Sequence, residues 1–66
     1  MDVRQNTLYL TTPGLFVSRE GLTLQIEQDR QLLLAVPVHH LESVCLFGPI
    51  TVTPQALELC FENGVG

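Results

Sequence analysis

The residues of this chain able to do chemistry are few and close together: His39 and His40, Glu42 just beyond them, Cys45, and further on Cys60. Two imidazoles and two thiols suggest zinc. Yet adjacent histidines rarely both reach one ion, and the chain has neither a CxxC nor an HxxxH spacing. Four ligands in compatible geometry are required, so the pattern predicts no metal site. Cys60 with a histidine has the makings of a nucleophile pair, but activation needs a base within hydrogen-bond reach. Cys60 also falls on the apolar side of a helical stretch, where a buried thiol is an inert small hydrophobe. Glu42 beside the histidines suggests acid–base work. The simpler role for a carboxylate at a one-turn helix is to accept hydrogen bonds from backbone N–H groups. His39 and Glu42 are therefore expected to be structural residues of a corner, and no catalytic residue is expected.

The fixed cations are Arg4, Arg19 and Arg30, against seven acidic residues, for a formal charge of −4. Affinity for nucleic acid comes from several Lys or Arg contacts to phosphate, and three dispersed arginines make no stripe. Arg4 and Arg30 read as solvated turn residues, whereas Arg19, beside a hairpin end, is the candidate phosphate contact. Tyr9, Phe16 and Phe47 are expected in the core or an interface, because stacking on single strands needs aromatics interleaved with basic residues.

With 66 residues, 45% hydrophobic and 15% charged, the chain is one small globular domain of marginal stability. Its start, MDVRQNTLYL, lacks a basic region followed by a long apolar core, which predicts no signal peptide and a cytoplasmic location, with no membrane contact. Cys45 and Cys60 are then expected as free thiols.

The element that must position the histidine corner is the run Leu32 to Val36, unbroken in its apolarity, which reads as a strand covered on both faces. Pro37 ends it, and after the corner Val44 to Phe47 reads as a second buried strand, stopped by Gly48-Pro49. Upstream, Leu8 and Leu10 alternate with Thr7, Tyr9 and Thr11 in the period of a half-buried strand. Thr12-Pro13-Gly14-Leu15 meets the demands of a type II turn, with Pro13 presetting φ and Gly14 free to take φ > 0, so the chain is expected to reverse there. Leu15 to Ser18 forms the return strand and Arg19-Glu20-Gly21 the next turn. Leu22, Leu24 and Ile26 then share one face of a third strand, and Gln28 to Gln31 turns into the central one. Residues 1–37 thus read as a four-stranded antiparallel meander.

The last third changes period. Thr53 is placed as an N-cap, Pro54 at the first helical position, and Leu57, Cys60 and Phe61 fall on one helical face opposite Gln55, Glu58 and Glu62. Gly64 is the expected left-handed residue closing the helix, with Val65 folding back on Cys60. The fold class is α+β, mainly β: an antiparallel meander of about five or six strands with one C-terminal helix. Gly66, directly after the helix cap, is an expected cut before the domain's last strands, with Val65 beginning the next one.

The ordered runs Asn6 to Gly14 (NTLYLTTPG), Val36 to Glu42 (VPVHHLE), Cys45 to Gly48 (CLFG), and Val52-Thr53-Pro54 through Asn63-Gly64-Val65 resemble the start of the CRISPR-associated adaptation integrase, in its type I-C form. The resemblance covers nearly all of this chain but only a minor, N-terminal part of the family's. It implies a two-domain, metal-dependent DNA endonuclease and integrase that inserts captured DNA as new spacers into a CRISPR array, in adaptive antiviral defence. It implies as partners a second copy in a homodimer, a small CRISPR adaptation protein and double-stranded DNA. It also implies Mg²⁺ or Mn²⁺ held in a helical C-terminal domain absent here, so that no metal ligand is carried onto this chain. The N-terminal part is then the β-rich module for dimerisation and for bracing the duplex. Some relatives place an aromatic wedge near the first turn; Thr11-Thr12-Pro13 offers none. The competing reading is a stand-alone protein-interaction domain that adds a partner's strand to an open sheet edge and has no role with nucleic acid.

Overall fold

The structure, a computed structural model, describes residues 2–4 and 6–66 of the chain. The described strands are β1 (Asp2–Arg4), β2 (Thr7–Leu10), β3 (Phe16–Glu20), β4 (Thr23–Gln28), β5 (Gln31–Pro37), β6 (Ser43–Leu46) and β7 (Thr51–Val52), and the helix is α1 (Pro54–Glu62). They form two sheets, one ordered β1-β2-β6 and the other β5-β4-β3-β7. The chain is therefore mainly β with one C-terminal helix.

The expected reversal at Pro13-Gly14 does not pair β2 with β3. Gly14 takes the positive φ of 86° that its turn requires, but its N–H donates to the Pro49 carbonyl at 2.9 Å. The turn carries the chain from one sheet to the other. The second Pro/Gly corner, Gly48-Pro49, makes the same crossing alongside it, so β2 runs parallel to β6 and β3 parallel to β7. Backbone bonds from Phe47 N–H to Leu10 O (2.9 Å) and from Thr51 N–H to Leu15 O (3.0 Å) tie the two crossings together. Only β3, β4 and β5 follow one another as an antiparallel meander.

Alternation does its expected work in β2 and β4. Leu8, Leu10, Leu24 and Ile26 are buried, with Leu15, Val17, Ala56 and Leu59 completing the layer between the sheets. No buried polar or charged residue occurs among those described. Leu22 is the exception: it sits in the β3–β4 turn rather than in the strand, and is exposed.

The run Leu32 to Val36 departs from expectation. β5 is an edge strand, and a register shift between Ile26 and Glu27 pairs Ile26 with Leu34 but Glu27 with Leu32, leaving Leu33 as the extra residue. A bulge of this kind inserts one unpaired residue and turns the side chains beyond it to the other face. Leu32 and Leu33 are consequently 56% and 43% exposed, while Leu34 and Val36 keep the inward face. β6 is likewise an edge strand, with Val44 half-buried and Leu46 and Phe47 exposed, not the buried strand its composition suggests.

The β4–β5 turn is a two-residue hairpin in which Asp29 and Arg30 both take positive φ, 52° and 66°. Glycine or asparagine is the usual occupant of such positions, so Arg30 holds an unfavourable backbone geometry.

Helix α1 is capped as its sequence demands. The Thr53 hydroxyl accepts from Ala56 N–H at 3.1 Å, and Pro54 opens the helix. Gly64, with φ of 68°, lets its own N–H reach Phe61 O and lets Val65 N–H reach Cys60 O at 2.9 Å, satisfying two terminal carbonyls. The buried stripe, however, is Ala56 and Leu59 with half-buried Cys60, while Leu57 and Phe61 are 58% and 87% exposed. Ala56 and Leu59 thus face the layer between the sheets, and the two bulkier apolar residues lie to the side.

Candidate functional site

The corner singled out by its chemistry is a single turn of 3₁₀ helix, Val38–His40, between β5 and β6. Val38 and Leu41 are buried and pin it to the core, and Leu41 N–H closes the turn on Val38 O at 3.1 Å. His39 and His40 both face solvent. Glu42 holds its place through its main chain, not through the carboxylate acceptor expected of it: its N–H donates to Asn6 O and its carbonyl accepts from Gly66 N–H, each at 2.8 Å, while its side chain is exposed. With Val3 and Asn6 these residues line a shallow, half-polar depression.

The two thiols are separate. Cys45 lies opposite Tyr9 on the outer face of the β1-β2-β6 sheet, whereas Cys60 faces the groove between that sheet and α1. Burial pushes the Cys60 thiol above its ordinary range, which keeps it protonated and a poor nucleophile. Among the described residues no three His, Cys, Asp or Glu side chains come together to hold a metal ion. The divalent ion implied by the resemblance has no ligand set in them.

Arg19 and Glu20 lie in β3 rather than in the turn expected for them, which falls at Gly21-Leu22; the Arg19 Nε donates to Gly21 O at 2.8 Å. The guanidinium is thus held at the end of the β3–β4 hairpin. Arg30 occupies the tip of the next hairpin, and the Arg4 side chain lies outside what is described.

Two apolar surfaces went unforeseen. One is at the β5 edge of the four-stranded sheet, where Leu32 and Leu33 are exposed and Phe16 lies in the same cross-strand row as Leu32, while Leu22 is exposed at the opposite end of the β4–β5 hairpin. The other is a groove beside β6, lined chiefly by Val44, Leu46, Leu57, Cys60, Phe61 and Val65. Their residues were read as core because size and hydrophobicity are the only signals the sequence offers, and neither a bulge nor a helix rotation changes them. Among the described residues no helix is long and apolar enough to cross a membrane.

Fold and surfaces together define a mainly β, two-sheet domain with open apolar edges and no catalytic cluster among its described residues. The model of the family "CRISPR associated protein Cas1" matches residues 8–66. The chain is 38% identical over 63 residues to a CRISPR-associated endonuclease Cas1 of Moorella thermoacetica, covering 96% of this chain and 18% of that relative. It is 37% identical over 65 residues to one of Chlorobaculum tepidum, covering 98% of this chain and 19% of the relative. A solved structure described as a TtCas1-DNA complex superposes with a TM-score of 0.74 at 28% identity, over 97% of this chain and 24% of that one. The chain belongs to the Cas1 family and corresponds to its N-terminal domain, spanning under a fifth of the length of these two curated relatives. These names carry no subtype.

Proposed function

We propose that this chain is the N-terminal module of a metal-dependent DNA endonuclease and integrase that inserts new spacers into CRISPR arrays. Its own task is to hold two copies of the protein together and to brace the bound duplex. The match to the Cas1 family across residues 8–66 carries this reading. Relatives bear the name of CRISPR-associated endonuclease, and a similar structure is described as a DNA complex. The exposed Leu32 and Leu33 on the β5 edge suit the dimerising part of the task, since a free edge with apolar side chains is a ready surface for a second copy.

Cleavage and strand transfer would rest on residues outside this chain, with Mg²⁺ or Mn²⁺ held there, and a small CRISPR adaptation protein would join the pair of copies. Bracing would depend on shape more than on charge. At a net charge of −4 the chain repels phosphate overall, so counterion release on binding must come from basic residues elsewhere. Arg19, fixed at the hairpin end, is the one phosphate contact proposed for this domain. Replacing it by Ala in the full-length protein should weaken duplex binding evenly across sequences and lower the salt slope by about 1. An unchanged slope would remove Arg19 from the interface.

The experiment for the whole reading is strand transfer by the full-length protein. Labelled duplex should be joined to a repeat-containing target in Mg²⁺ or Mn²⁺, and the 66-residue chain alone should join none. A full-length protein that neither cuts nor joins DNA, but captures a peptide strand on the β5 edge, would favour a protein-interaction domain instead.

A further inference from the structure

We draw no further inference here: the strongest candidate, the hollow at the tip of the β4–β5 hairpin lined by Phe16, Glu27, Asp29 and Arg30, is an open surface over one exposed ring and two carboxylates, and nothing in the structure shows what covers it.

Discussion

The free edges of β5 and β6 both expose large apolar side chains, yet they differ in what their backbones do. Along β6 the next rung is already formed by Gly66, and the apolar residues Val44 and Leu46 sit on the inward face, beside a groove. Along β5 no such rung is begun among the described residues, and the bulge at Leu33 throws two leucines off the inward face altogether. Exposed apolar surface thus has two meanings in one small domain. Beside β6 it lines a groove against α1, and beside β5 it stands on an open edge strand.

The layer between the sheets is the reference for both. Leu24 is 1% exposed there, and replacing it by Asp would bury an unpaired charge, at a cost above about 4 kcal/mol. For 66 residues that exceeds the margin, so far-UV circular dichroism should show an unfolded chain. A folded Leu24→Asp protein would mean that the core is less closed than described, and would blur the contrast with the rims.

A smaller effect is expected on the exposed side of α1. In the 66-residue chain Phe61 is 87% exposed, and Phe61→Ser should shift stability by no more than about 0.5 kcal/mol. A loss of about 2 kcal/mol or more in urea titrations would show that the ring packs into the groove beside β6.

The smallest expected effect probes the hairpin that carries the β5 edge. Arg30 holds a φ of 66°, where glycine is free of strain, so Arg30→Gly should stabilise the chain by about 1 kcal/mol. A loss of stability would show that the Arg30 side chain contributes more than its backbone geometry costs.

What the sequence revealed follows the reach of each signal. Thr53, Pro54 and Gly64 announced the helix and both its ends, because capping is decided within a few residues. Leu8, Leu10, Leu24 and Ile26 announced themselves by alternation. Pro13 and Gly14 gave the turn geometry but not its partner: a positive φ is local, whereas the bond from Gly14 to Pro49 spans half the chain. The unbroken Leu32 to Val36 run carried no period at all, so nothing in it marked Leu33 as the bulged residue or β5 as an edge. The helix face was misassigned for a related reason. Leu57 and Phe61 outweigh Ala56 on any hydrophobicity scale, yet close packing selects the smaller side chain. Of the candidate site, the one-turn corner after Pro37 was legible as a turn, but the exposure of the Glu42 carboxylate and the place of Arg19 inside β3 were not, because both depend on where the neighbouring strands end.

The most direct test of the dimerising role is sedimentation equilibrium of the full-length protein carrying Leu32→Lys and Leu33→Lys together. Both residues are exposed in the single chain, so the double variant should fold and melt much as the parent does at the level of the monomer. Two lysines on the β5 edge would meet another copy with unpaired charge, and the account predicts a dimer for the parent and a monomer for the double variant. A double variant that remains dimeric, with unaltered strand transfer, would contradict the assignment of this edge.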